Sequence, residues 1–162
     1  MSKISAKGLT NILWAPWRKQ YILHLPRKKK ADCIFCRMLK QNKDQANFIV
    51  KRTRHSFAVL NLFPYNNGHV LIIPKRHLAD FEKLTEVELL DLVKLQNEIL
   101  GRLKERLKPH GFNLGVNLGS VGGAGVVGHL HVHVVPRWSG DTNFMPVIAK
   151  TKVISESLKS LY

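Results

Sequence analysis

Apolar residues recur at spacings of three and four through one long stretch: Leu89, Leu92, Leu95, Ile99, Leu103 and Leu107. That period lines them along one face of an α-helix. Thr85, followed three residues later by Glu88, forms a capping box at its start, and Pro109 closes it. From residue 48 onward the other segments are short and β-prone. Phe48-Ile49-Val50 and Phe57-Ala58-Val59-Leu60 are two such runs, separated by a basic turn. Pro64-Tyr65-Asn66-Asn67-Gly68 reads as a loop feeding Val70-Leu71-Ile72-Ile73, which Pro74 stops. After the helix come a strand over residues 112–118, a glycine-rich loop, and a strand over residues 129–135 ended by Pro136. Strands, one long helix and strands again predict an α+β domain on a largely antiparallel sheet.

The first thirty residues have another texture. Ile12-Leu13-Trp14-Ala15-Pro16-Trp17-Arg18 sets two tryptophans around a proline, which blocks a regular helix and suits a segment laid over a core. Arg27-Lys28-Lys29-Lys30 is either a solvated loop or an electrostatic collar for a polyphosphate. The 162 residues therefore divide into an extension packing on the core (1–32), one domain (33–140) and a C-terminal segment expected to be helical (141–162). Lys and Arg number 26 against 11 Asp and Glu, a net charge of +15. That balance repels cationic substrates and favours phosphate-rich partners: nucleotides, nucleic acid or an anionic membrane surface. With two cysteines a disulfide framework is excluded, and no apolar run reaches the ~20 residues of a membrane span. The polar first ten residues lack the apolar centre of a secretion signal, so a cytoplasmic location is expected and no membrane partner.

The densest chemistry lies in Gly128-His129-Leu130-His131-Val132-His133-Val134-Val135-Pro136. Side chains alternate along a strand, so three imidazoles share one face while Leu130, Val132 and Val134 enter the core. Three imidazoles bring six ring nitrogens that need partners, which a packing role does not supply. One metal cannot hold all three, because His129 and His133 stand about 13 Å apart along a strand. The preceding loop, from Gly119 through Ser120, Gly122, Gly123 and Gly125 to Gly128, allows close backbone approach and reads as a phosphate cradle beside a nucleophile. It is not a P-loop, since no Gly-Lys-Ser/Thr follows. Cys33-Ile34-Phe35-Cys36 has the spacing of half a zinc site completed by histidine, or is a pair of buried thiols. His69, at the mouth of a strand, is a turn-end residue or a member of the site. His24, His55 and His110 are assigned nothing.

His129-Leu130-His131-Val132-His133-Val134-Val135 resembles the His-φ-His-φ-His-φ-φ signature of the histidine triad (HIT) superfamily. The likeness extends through Asn61, Gly68-His69, Pro74-Lys75-Arg76-His77 and Asn117, over roughly residues 33 to 138. Within the superfamily the chain looks most like the bacterial branch related to diadenosine tetraphosphate (Ap4A) phosphorylases. The resemblance implies a HIT-like fold: an antiparallel sheet with one long helix and a shorter C-terminal helix, dimerised about a two-fold axis. It implies a nucleotidyl transferase or hydrolase acting at the α-phosphate of an adenine nucleotide or dinucleoside polyphosphate. His131 would be the nucleophile, forming an adenylyl-histidine, with His133 and His69 binding phosphate or orienting that ring. Asn61 would hold the ribose, Asn117 would contact phosphate, and Gly123 and Gly125 would bring backbone to the substrate. Cys33, Cys36, His77 and His129 match the four ligands of zinc-containing relatives. Four protein ligands leave zinc no open position, so it braces the fold and the chemistry needs no cofactor.

Many relatives carry Gln-Ser or Gln-Thr ahead of the triad where this chain has Gly125-Val126, so backbone N–H groups or Ser120 would take over those contacts. A neutral imidazole is a competent nucleophile near pH 7, and the bond made by its other nitrogen, expected to a backbone carbonyl, fixes which atom attacks. Lys75, Arg137 and the Arg27–Lys30 run are candidates to stabilise or steer phosphate. Trp138 either stacks on a base or packs. Two other readings stand beside this one: a hydrolase of AMP amides, and a nucleic-acid-binding module, disfavoured because the basic residues are dispersed and no DNA-reading motif is present.

Overall fold

The computed structural model of the chain describes residues 33–143 and 154–162. The expectations for residues 1–32, including the tryptophan–proline segment and the basic run, lie outside these. So does residue stretch 144–153 of the C-terminal segment.

The class is α+β, as expected. Five strands form one antiparallel sheet: β1 (Ile49–Arg52), β2 (Ser56–Leu60), β3 (Val70–Pro74), β4 (Gly111–Val116) and β5 (Val132–Arg137), in the spatial order β1-β2-β3-β5-β4. Among the described residues three α-helices accompany it: α1 (Ile34–Gln41), the long α2 (Glu86–Leu107) and a short C-terminal α3 (Leu158–Leu161). The α2 capping box is present in both directions, Thr85 Oγ1 accepting from Glu88 N–H and the Glu88 carboxylate accepting from Thr85 N–H. Lys108, left-handed at φ 46°, ends the helix before Pro109. Leu92, Leu95 and Ile99 are buried, but Leu89 is exposed, because Glu88 holds the inward position in that first turn to meet Arg76. None of the described helices is long and apolar enough to cross a membrane.

Hydrophobic clusters cover both faces of the sheet. On one, Ala58, Leu60, Val70, Ile72, Val132 and Val134 pack under Leu92, Leu95 and Ile99 of α2. On the other, Phe57, Val59, Leu71 and Ile73 pack with Phe35 and Met38 of α1. The β5 alternation sends Val132 and Val134 to the α2 side, which leaves His133 for the α1 side. α1 itself is an element the spacing of its two cysteines did not announce.

Both prolines expected to end strands lie inside them. Pro74 pairs with Ser56, and Pro136 with Phe112. A residue's N–H and C=O point to the same edge of a strand, and here that edge faces away from the paired neighbour, so no ladder bond is lost. The carbonyls on that edge are taken by side chains: Pro74 O by His129 Nε2 at 2.8 Å and Pro136 O by Asn66 Nδ2 at 3.0 Å. β5 begins at Val132 instead of residue 129, because pairing to β3 and β4 stops there. The extension before it is tied instead by Leu130 N–H to Leu78 O at 2.7 Å. β1 starts after Phe48, which sits at φ 54° and leaves the strand region.

Candidate active site

His129, His131 and His133 are all buried on the α1 side, as is His69 from the start of β3. The rings form a row, with 5.0 Å between the centroids of His131 and His133 and 5.1 Å between those of His133 and His69. The Phe35 ring of α1 lies 5.4 Å from both His129 and His131.

Backbone partners decide where each proton sits. An amide N–H can only donate, so Tyr65 N–H, 3.0 Å from His69 Nδ1, makes that nitrogen an acceptor. Neutral His69 then carries its proton on Nε2 and donates to His133 Nδ1 at 2.9 Å. The His133 proton is thereby placed on Nε2, a buried donor without a partner among the described residues. Carbonyls act in the opposite sense. His131 Nδ1 donates to His129 O at 2.9 Å, and His129 Nε2 donates to Pro74 O. His131 therefore presents a bare Nε2, and His129 a bare Nδ1. Burial, then the neighbouring His133 and His131, push His69 down to about 3; burial and His131 push His133 down to about 4. Both rings are neutral at pH 7, as this proton arrangement requires. Tyr65 also stacks its ring on His133 at 5.5 Å and 13°.

The bare Nδ1 of His129 faces the second constellation. Cys33 Sγ lies 3.2 Å from it, and Cys36 Sγ lies 3.6 Å from it and 3.3 Å from His77 Nδ1. All four ligand atoms fall within 4.8 Å of one another. A tetrahedral zinc with bonds of about 2.0–2.3 Å sets its ligand atoms roughly 3.3–3.8 Å apart, so Cys33, Cys36, His77 and His129 fit that ion. The Pro74 carbonyl on His129 Nε2 is the outer partner such a ligand requires. Burial and the adjacent Cys33 push the Cys36 thiol up, a cost that a dication at this centre would reverse.

Asn61 stands beside His69, its Nδ2 3.2 Å from His69 Nδ1 and its Oδ1 accepting Phe63 N–H at 3.0 Å. One N–H and one lone pair of that amide remain for a ligand. The glycine loop differs from the cradle expected. Gly123 N–H is committed to Ser120 O and Ala124 N–H to Gly119 O, so Gly123 is not a free donor in this conformation, whereas Gly125 carries no such bond to the described residues. Asn117 lies next to Gly123, with Nδ2 3.9 Å from where a Cβ would stand. Among the described residues neither Asn117 nor Gly125 bonds to the imidazole row. Two expected phosphate cations are engaged elsewhere: Arg137 grips Asp141 and Asn113, and Lys75 reaches the Thr53 carbonyl. Trp138 donates to Leu107 O at 3.3 Å and thus caps α2. Tyr65, Asn66 and Phe35 are contributors that sequence reasoning missed. Their one signal was placement, in the loop before His69 and between the two cysteines.

Comparison with known proteins gives a consistent result. The sequence matches the family model of the HIT domain over residues 42–140. It is 38% identical over 152 residues to an AP-4-A phosphorylase of Mycobacterium tuberculosis, covering 91% of this chain and 78% of that protein. A HIT family protein of Bacillus anthracis superposes with a TM-score of 0.61 at 32% identity, over 66% of this chain and 74% of that one. A zinc-bound histidine triad family protein of Mycobacterium smegmatis shares the fold with a TM-score of 0.65 at 22% identity, over 82% of this chain and 89% of that one.

Proposed function

This chain belongs to the HIT domain family, and on that premise we propose that it transfers an adenylyl group from a dinucleoside polyphosphate such as Ap4A through a covalent intermediate on His131. The observation that carries this reading is the proton arrangement. His131 donates its Nδ1 proton to the His129 carbonyl and keeps a bare Nε2, in the same row as the Nε2–H of His133, which has no partner among the described residues.

The Nε2 lone pair of His131 attacks the α-phosphorus, a P–N bond forms, and the P–O bond to the remaining polyphosphate breaks. The leaving group departs with that electron pair. His133 Nε2–H donates to an oxygen of the phosphoryl group, where negative charge gathers, and His69 holds His133 in the donating tautomer. In the second step an oxygen of inorganic phosphate, or of water with its proton passing to solvent, attacks phosphorus, and the P–N bond breaks with its electron pair returning to Nε2, restoring neutral His131. Phosphate as acceptor converts Ap4A to ADP and ATP; water gives AMP and ATP. Asn61 offers its remaining N–H and lone pair to the ribose hydroxyls, and Gly125 with Asn117 supplies donors at the phosphates.

Cys33, Cys36, His77 and His129 would hold zinc, which would supply a four-coordinate brace and no reacting group. With that ion bound, His129 would be held by its Nδ1, and the His129 carbonyl orients the nucleophile two residues on. A two-fold dimer completes the assembly, joined along β4. The outer edge of that strand is unpaired within the described residues and carries Leu114, 48% exposed. The protein works in the cytoplasm, on nucleotides and not on nucleic acid.

The test is incubation with α-labelled Ap4A, a quench in base, where a phosphoramidate bond survives, and product analysis with and without inorganic phosphate. Label on the wild type and none on His131→Ala supports the intermediate. Full activity in His131→Ala defeats it. Faster release of lysine from an AMP-lysine amide than of ATP from Ap4A would move the substrate class to nucleoside phosphoramidates.

A further inference from the structure

α1 is tied to the site by its first turn. The helix has eight residues and no acidic side chain in that turn, and its N-cap residue Cys33 makes no side-chain capping bond. Isolated helices shorter than about 12–15 residues are marginal, so tertiary contacts must fix this one. Two kinds are present. Phe35 and Met38 pack into the cluster with Phe57, Val59, Leu71 and Ile73. The thiols on either side of Phe35 in sequence reach the ligand histidines, Cys33 Sγ to His129 Nδ1 at 3.2 Å and Cys36 Sγ to His77 Nδ1 at 3.3 Å. An ion shared by these four side chains would pin the one turn of α1 that carries Phe35.

The buried Phe35 ring bridges that centre and the nucleophile. It meets His129 edge-on at 90° and His131 at 57°, each with centroids 5.4 Å apart, within contact range for aromatic rings. The Nδ1–H bond to His129 O anchors one atom of the His131 ring. That bond alone leaves the plane free to tilt, which swings the Nε2 lone pair. The His133 ring, 5.0 Å away, is one limit on the tilt, and Phe35 is another. We propose that Phe35 is a positioning residue that couples the four-ligand centre to the nucleophile, its ring holding the His131 imidazole in line for attack while Cys33 and Cys36 hold Phe35; the inference rests on the nucleotidyl-transfer reading above. Phe35 acts through His131 and forms no bond to the substrate. It therefore bears on the attack itself and not on affinity for the nucleotide. A misplacement of about 1 Å at a reacting atom costs about a hundredfold in rate.

The full chain, loaded with zinc, is compared as wild type, Phe35→Leu and Met38→Leu. Phe35→Leu keeps an apolar side chain in the cluster and all four ligands; Met38→Leu is the control one turn along the same helix. On Ap4A, Phe35→Leu should lower kcat about tenfold to a hundredfold at unchanged KM, with its zinc retained. Met38→Leu should leave both constants within about twofold. Chelation, at a temperature where circular dichroism shows the chain folded, should cost the wild type a larger factor in kcat than Phe35→Leu, which has already lost what the ring transmits. NMR of the imidazole nitrogens reads the same coupling without turnover. The His131 signals, identified by their absence in His131→Gln, should be sharp in the loaded wild type and should broaden both on chelation and in Phe35→Leu, with those of His69 unmoved. Unchanged kcat in Phe35→Leu, or His131 signals that stay sharp in it, overturns the inference. Equal losses of kcat in Phe35→Leu and Met38→Leu would make the ring a packing residue only, and loss of zinc from Phe35→Leu would move its role to the ligands; either overturns it too. No turnover of Ap4A by the wild type is a different failure, that of the nucleotidyl-transfer reading, and the imidazole spectra still decide Phe35.

Discussion

Lowering the pH from 7 to 5 should destabilise the protein through two imidazoles that fold neutral. His69 titrates at about 3 and His133 at about 4 in the folded chain. Both return to about 6.5 when it unfolds. Between these values the unfolded state binds more protons, so unfolding stability falls as the pH falls. The stability is fully present above 6.5 and is lost progressively down to 3–4. Over the step from pH 7 to pH 5 each ring accounts for about 2 kcal/mol in the limit of complete burial. Solvent access on the open side of the cleft reduces the joint effect to about 2–3 kcal/mol. The assay is urea denaturation at both pH values, comparing the wild type with His69→Gln and His133→Gln. Acid release of metal is common to all three proteins and cancels in the difference. Each variant should lose about 1–2 kcal/mol less than the wild type over that pH step. An identical pH dependence in all three would refute the view that these rings are held neutral by burial.

Elemental analysis should find one zinc per chain, and its removal by a chelator should lower the melting temperature by about 8–16 °C, as for a ligand near a thousandfold above its dissociation constant. Cys33→Ser should show neither the zinc nor the chelator effect, while zinc at background in the wild type would count against the site. Asn66→Ala removes the donor to the Pro136 carbonyl and to Asp141, and should cost about 1–3 kcal/mol in urea denaturation; an unshifted midpoint would show those bonds contribute nothing. Leu114→Glu, placing a charge on the exposed β4 edge, should halve the mass seen by light scattering with the circular dichroism unchanged. A wild-type monomer would remove the basis for joining the sheets there.

Local rules read from the chain carried far. Period-2 alternation put His133 on one face of β5 and Val132 and Val134 on the other, as strand geometry dictates, and it also placed His129 and His131 on the side of His133 although they precede the strand. Thr85 with Glu88 located the start of α2, since a capping box is a contact between residues three apart. What local rules could not reach is anything set by a partner distant along the chain. Pro74 and Pro136 are strand breakers by propensity, yet sit within strands because side chains 55 and 70 residues away take their carbonyls. Lys75 and Arg137 look like phosphate cations until Thr53 and Asp141 engage them. The protonation of the row is tertiary too, since it starts from Tyr65 N–H, a donor every non-proline residue possesses and no motif marks. The sequence by itself specified which imidazoles would stand together. Only the folded backbone, through fixed N–H and C=O groups, decided which nitrogen of each is bare and which carries its proton.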